Sequence, residues 1–284
     1  MRIGTSLFSV LCLGNVVSCS VLSSLRIRAL DYWKPQPSLK WQIVLQESLG
    51  SLNISGVDVY DVDLNTTSKA QITTLQANGK KVICYFSAGS WEKYRPDQSL
   101  SDPRDIGNKI AKGETSQDGY WPGEKWLNIR SPGVLGIMFS RIQQAADKGC
   151  DAVDPDNVDG YGIDQSGPND NGFNPKTGFN ITQADCIVYL TRLATEAHSR
   201  GLAIGLKNAI EIVPQIEPLV DFAVNEQCVQ YKECSTPANL SSIRNLSFIL
   251  NTQQNCRPFR RPLSTKAVLL EWSRHSRQSS KTGT

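Results

Sequence analysis

The chain has 284 residues, 39% of them hydrophobic, and a formal net charge of +3, which is length enough for one large domain with its own core. That charge hides an asymmetry. Of the 30 basic and 27 acidic residues, eight basic and one acidic (Glu271) lie from Ser235 onward, so the preceding body holds 22 and 26. A loose basic tail on a mildly acidic body, without a structured basic face carrying aromatic platforms, argues against nucleic-acid binding.

In chain order, Arg2 and an apolar run from Leu7 to Val17 are followed by small residues around Cys19 and Ser20. This layout predicts a secretory signal peptide over residues 1–20, and no later run approaches the roughly 20 apolar residues of a membrane span. Five N-x-[ST] sequons, at Asn53, Asn65, Asn180, Asn239 and Asn245, fit a secreted glycoprotein. Eight cysteines become six once Cys12 and Cys19 leave with the leader. In an oxidising compartment Cys84, Cys150, Cys186, Cys228, Cys234 and Cys256 invite disulfides; Cys84 with Cys150 and Cys228 with Cys234 are two pairings, and spacing alone leaves the connectivity open.

WQIVLQ (41–46) and VDVYDVDL (57–64) read as strands, a helical stretch follows over 68–78, and KVICYFSAG (81–89) is the next strand. A long polar segment, 90–128, is rich in Gly, Pro and Trp. A helix over 133–148 then precedes a strand carrying Asp151, Asp154, Asp156 and Asp159. Thr182 with Asp185 three residues on marks the start of a helix that stops at Gly201. After it come AIGLKNA (203–209), a short helix near 210–219, and FAVNEQC (222–228). Strands alternating with helices imply a parallel sheet. Polar residues gather where strands end, and no glycine-rich nucleotide motif follows the early strands. A TIM-like (β/α)8 barrel is therefore preferred over an open doubly wound sheet.

Only His198 and His275 are present, so a Ser-His-Asp triad or a histidine zinc site is not expected. The D-P-D-N-V-D run lacks the glycine and distal glutamate of a calcium loop. No metal and no cofactor are predicted. Carboxylate acid–base chemistry remains. Cleaving a glycosidic bond needs two carboxyl groups flanking the substrate, so they should come from different strands. Asp156 and Glu226 meet that condition, with an ion pair to Lys207 as the plain alternative for Glu226. Trp91, Tyr94, Trp121 and Trp126 supply rings for sugar stacking or for anchoring the long loop.

ICYFSAGSWEKYRPD (83–97), WPGEKWLNIR (121–130), GCDAVDPDNVDGY (149–161), RGLAIGLKNA (200–209) and VNEQCVQYKEC (224–234) together resemble glycoside hydrolase family 114, the endo-α-1,4-polygalactosaminidases. The resemblance covers roughly Trp41 to Cys234. It implies a secreted barrel enzyme hydrolysing α-1,4-linked galactosamine polymers, with Asp156 and Glu226 as the paired acids. Asp61, Asp63, Asp154 and Asp159 would then attract and orient the cationic amino sugar, with Tyr85, Asn157, Lys207 and Asn208 as hydrogen-bonding neighbours. Residues 33–234 are expected to form the barrel, and residues 235–284 an atypical basic segment in which KAVLLEW (266–272) is a shortened echo of the closing strand. The barrel is thus expected to be incomplete at its C-terminal strand. The expected partner is galactosamine-containing polysaccharide, met by a monomer with no nucleic acid and, once the leader is removed, no membrane. The rival reading is a barrel that binds polysaccharide without turning it over because its end is altered.

Overall fold

The computed structural model describes residues 31–36, 39–45, 56–110, 123–165, 176–226 and 247–249. Seven strands run parallel in one sheet: β1 (Trp41–Val44), β2 (Val59–Asp63), β3 (Lys81–Ser87), β7 (Ala152–Asp156), β8 (Ala203–Lys207), β9 (Phe222–Val224) and β10 (Ser247–Ile249), paired in that order. The sheet curls as a TIM-like barrel wall, and among the described residues β1 and β10 are its two edges. Three longer helices cover it: α1 (Lys69–Ala77), α2 (Pro132–Lys148) and α4 (Gln183–Ser199), with the short α3 (Gly160–Gln165) and α5 (Val213–Ile216) between strands.

The strands are buried on both faces, as a parallel sheet under helices requires. Tyr60, Val62, Val82, Cys84, Phe86, Val153, Ile204, Leu206 and Ala223 pack outward against Ile72, Met138, Ile142, Leu190 and Leu193. Their alternates Trp41, Val59, Ile83, Ala152, Ala203, Phe222 and Val224 form a separate inner cluster. Because side chains alternate along a strand, the next inward positions are Asp61, Tyr85, Asp154, Gly205 and Glu226, and beyond them Asp63, Ser87, Asp156 and Lys207. The barrel interior is therefore apolar at its base and ionic at the C-terminal ends of its strands. At Gly205 a Cβ would lie 2.4 Å from the Phe222 ring, so the base packs this tightly only with glycine there.

Local sequence explains the helix ends. Ser131 accepts the N–H of Gly133 before α2, whose end is turned off by Gly149 in the left-handed region. Thr182 and Asp185 form the expected capping box of α4. Cys84 and Cys150, 66 positions apart in the sequence, are disulfide-bonded. Cys186, by contrast, is a free, buried thiol whose Sγ donates to the carbonyl of Val158; Cys228, Cys234 and Cys256 lie outside the described residues.

Two expectations need correction. The long polar segment holds an antiparallel sheet, β4 (Ser90–Glu92), β6 (Glu124–Leu127) and β5 (Ile106–Lys109), paired β4-β6-β5. The helix expected over 210–219 is one short α-helical turn between two 3-10 turns, as Pro214 and Pro218 remove backbone donors. The parallel sheet also continues past Cys234, because β10 pairs with β9; KAVLLEW lies outside the described residues.

The base of the barrel is sealed by the segment before β1. Tyr32 stacks on His198 at 4.3 Å, and Lys34 and His198 both hold Asp221. His198 is thus a half-buried helix residue with a structural partner. Of the sequons, Asn180 is exposed, whereas Nδ2 of Asn65 is buried. Among the described residues no helix is long and apolar enough to cross a membrane.

Candidate active site

Lys207, 1% exposed at the end of β8, is the centre of the ionic layer. Its Nζ lies 3.5 Å from Asp154 Oδ2, 3.7 Å from Asp156 Oδ2 and 3.4 Å from Glu226 Oε1. Burial works against charge on Lys207, but Asp156, Asp154, Glu226 and Asp61 more than offset it and hold the ammonium well above its ordinary range. One cation therefore ties together carboxylates from β7 and from the loop after β9. The ion pair weighed as the plain reading of Glu226 exists, and it links Glu226 to Asp156.

Each of these two acids is aimed by an asparagine in the left-handed region. Asn157 has φ 59° and Asn208 φ 50°, a conformation that asparagine tolerates better than most residues. The turn at Asn157 lets its N–H donate to Asp156 Oδ1 at 2.8 Å, while the Tyr85 hydroxyl donates to Asp156 Oδ2 at 2.8 Å. The turn at Asn208 lets its side-chain oxygen accept the backbone N–H of Glu226 at 2.9 Å. Asp156 is consequently held by two donors with its side chain 16% exposed, and Glu226 stands freer at 37%.

The other expected residues separate into groups. Asp61 and Asp154 are both fully buried under Lys207. Asp159, half-buried just beyond β7, is pushed up to about 7 by burial and by the charge of Asp156. Tyr85, Asn157 and Asn208 are hydrogen-bonded neighbours of the two acids, as described. Asp63 is occupied elsewhere: Oδ2 takes Arg95 at 2.6 Å and Oδ1 accepts the N–H groups of Asn65 and Thr66. It builds the turn into α1, which leaves it no free oxygen for a sugar. Asp151 is likewise structural, paired with Lys81 and accepting the N–H of Val82. Trp126 is a buried anchor and Trp91 donates to the carbonyl of Gln98, whereas Tyr94 is 56% exposed; Trp121 is outside the described residues.

Glu124 is the side chain that sequence reasoning passed over. From β6 it accepts the hydroxyls of Tyr94 at 2.7 Å and Ser90 at 3.0 Å. Ser90 and Ser87 are 2.6 Å apart, and Asn157 Nδ2 donates to Ser87 at 2.9 Å, so the network ends on the residue that aims Asp156. Burial raises Glu124 to about 7 against the pull of the Tyr94 hydrogen bond. A lone glutamate between two tryptophans in WPGEKW was the available signal. Gly89 belongs to this contact too, because a Cβ there would come within 1.7 Å of the Asn157 carbonyl oxygen. Among the described residues no group of three or more His, Cys, Asp or Glu is placed to hold a metal ion.

A parallel β/α barrel with two carboxyl groups facing each other across the C-terminal ends of its strands is the architecture of a glycoside hydrolase. Residues 23–259 match the model of glycoside-hydrolase family GH114, and the chain belongs to that family. Among solved structures it is similar to Aspergillus fumigatus Ega3 in complex with galactosamine, at 40% identity over 82% of this chain and 86% of that one, with a TM-score of 0.67. The fold is also shared with the glycoside hydrolase domain of PelA from Pseudomonas aeruginosa, at 13% identity over 74% of this chain and 80% of that one, with a TM-score of 0.51. A search of the curated proteins gave no match.

Proposed function

We propose that this glycoside hydrolase is secreted and cleaves α-1,4 bonds in galactosamine-containing polysaccharide, with Asp156 as nucleophile or base and Glu226 as general acid. The observation that carries the pairing is the shared ammonium: Lys207 Nζ lies within 4 Å of both carboxylates, which come from different strand ends. Asp156, clamped by Tyr85 and Asn157, is fixed as a group that must meet the anomeric carbon in one geometry. Glu226, more exposed and held through its backbone, suits protonation of the departing oxygen.

The substrate reading draws on the family and on the 40% identical Ega3, crystallised with galactosamine. The charge of the site agrees with it. Asp154, Asp156 and Glu226 around buried Lys207 give the mouth an anionic excess that attracts an ammonium-bearing sugar. Asp156, Glu226, Asp154, Asp159, Tyr85, Asn157, Lys207 and Asn208 are the residues proposed to form the site.

Incubation of the protein with deacetylated and with acetylated galactosaminogalactan tests this. Release of short oligosaccharides from the deacetylated polymer, lost in D156N and E226Q variants that still fold, is the expected result. Release from the acetylated polymer alone would overturn recognition of the ammonium, and full activity in either variant would remove that residue from the mechanism.

A further inference from the structure

The proposed mechanism leaves Asp61 without a task, and its surroundings are unusual. Its carboxyl is fully buried on the inner face of β2, and neither Oδ1 nor Oδ2 has a hydrogen-bond donor. Oδ1 of Asp154, on β7, is also buried without a donor, and Oδ2 of Asp154 meets only Lys207, at 3.5 Å. Three orphaned oxygens of two facing carboxyl groups thus lie in a closed space. Left as two anions they would carry an uncompensated desolvation cost, because a buried charge must be paired and hydrogen-bonded. Lys207 cannot neutralise both, since it already serves Asp154, Asp156 and Glu226.

We infer that Asp61 and Asp154 share a single proton carried by Asp61, and that neutral Asp61 is a positioning residue for Lys207. A protonated Asp61 donates to Asp154, whose own carboxyl is raised by burial but drawn back toward the anion by Lys207, which sits on it. Asp154, held from below in this way, presents Oδ2 upward and fixes the height of the ammonium between Asp156 and Glu226. The charged and titratable groups facing Asp61 all bear on this assignment. Desolvation and the charge of Asp154 hold its carboxyl well above the usual carboxylate range; Lys207 opposes them and Asp156 adds to them. Tyr85 on β3 already donates to Asp156, and Asp63, on β2 with Asp61, is turned to Arg95. Asp61 is then a hydrogen-bond donor in the floor of the site, and the ammonium of the sugar is left to the carboxylates above it. The inference rests on the reading of Asp156 and Glu226 as the catalytic pair.

Two substitutions separate a neutral donor from an anion. Asp61→Asn keeps the shape and can donate to Asp154, whereas Asp61→Ala removes the donor and leaves a void. With deacetylated galactosaminogalactan oligosaccharides as substrate, D61N is expected to keep kcat within an order of magnitude of wild type with KM unmoved. D61A is expected to lose kcat about 100-fold, the cost of displacing a catalytic group by roughly an ångström. D61N carries the decision if D61A does not fold. The infrared carbonyl stretch of a buried protonated carboxyl should persist in wild type at about pH 9, where Glu124 and Asp159 have ionised, and be missing from D61N. A D61N variant whose KM rises while kcat holds would make Asp61 an anionic sugar ligand and overturn the inference, as would a wild type without the infrared band. A wild type that shows the band but cleaves no galactosamine polymer overturns the catalytic reading and leaves the shared proton standing.

Discussion

The side-chain oxygen of Asn208 accepts the backbone N–H of Glu226 at 2.9 Å, so the loop after β9 is aimed by the strained end of β8. Asn208 and Ala209 are consecutive left-handed residues, with φ 50° and 49°, a conformation that costs on the order of 1–2 kcal/mol per residue for a side chain with a Cβ. Strain held beside a proposed catalytic group is useful only if it places something. Replacing Asn208 with alanine removes the acceptor and keeps the backbone demand. N208A is therefore expected to lose about 1–2 kcal/mol of stability in chemical denaturation, and to lower kcat more than it raises KM.

The unequal settings of Asp156 and Glu226 predict unequal responses to the leaving group. A substrate whose aglycone departs readily needs little protonation, so E226Q should recover much of its activity on an aryl glycoside of galactosamine. General acid catalysis contributes typically 10²–10⁴-fold, which sets the scale of the loss expected on the polymer. D156N should recover nothing on either substrate. Comparison of kcat/KM for both variants on both substrates checks the assignment, and recovery by D156N instead would reverse it.

Stereochemistry follows from the shared lysine. Asp156 Oδ2 and Glu226 Oε1 lie 3.7 Å and 3.4 Å from the same nitrogen, so their separation cannot exceed about 7 Å. Carboxyl groups about 5–5.5 Å apart accompany retention and those about 6.5–9.5 Å apart inversion. The facing oxygens thus stand closer than most of the inverting range, which favours retention. The first product seen by proton NMR during hydrolysis is expected to be the α-anomer; an initial β-anomer would show that the carboxyls stand at their greatest separation and admit a water.

The disulfide between Cys84 and Cys150 joins β3 to the residue two before β7, the strand that carries Asp154 and Asp156. A link spanning 66 positions restricts the unfolded chain by about 4 kcal/mol in the chain-entropy model. The C84A/C150A double variant is expected to unfold at markedly lower denaturant, by circular dichroism, with the native secondary structure unchanged before the transition.

Much of this molecule was legible in its sequence because its strands are short apolar runs ending in polar residues, and parallel pairing brings those ends to one place. Asp156, Glu226 and Lys207 follow from that pattern. Asp63 shows where it stops: it has the same inward parity as Asp61, but its partner Arg95 comes from the turn after β4, in an insert with no clear period-2 signal. Glu124 lies in the same insert, and its network to Asn157 crosses β4, β6 and the loop after β7, contacts that no local spacing encodes. Asp61 could be placed in the site by position, but its surroundings, where three carboxyl oxygens lack donors, exist only once the barrel has curled.

Glu124 and Asp159 give stability a definite pH sign. Both are raised to about 7 from ordinary values of 4.5 and 3.8, chiefly by burial. Between about pH 4 and pH 7 the folded protein keeps protons that the unfolded chain releases, so stability falls as pH rises through that window. Asp97 and Asp221 are lowered by Arg141 and by His198 with Lys34, which outweigh the opposing effect of burial, and their contribution is lost only at more acid pH. The melting temperature is thus expected to drop between pH 5 and pH 8. E124Q, whose amide can still accept from Tyr94 and meet Ser90, should flatten that slope by on the order of 2–3 kcal/mol at most. Thermal unfolding of both proteins across the window checks the sign, and an E124Q slope equal to that of wild type would show that Glu124 is already ionised in the folded enzyme.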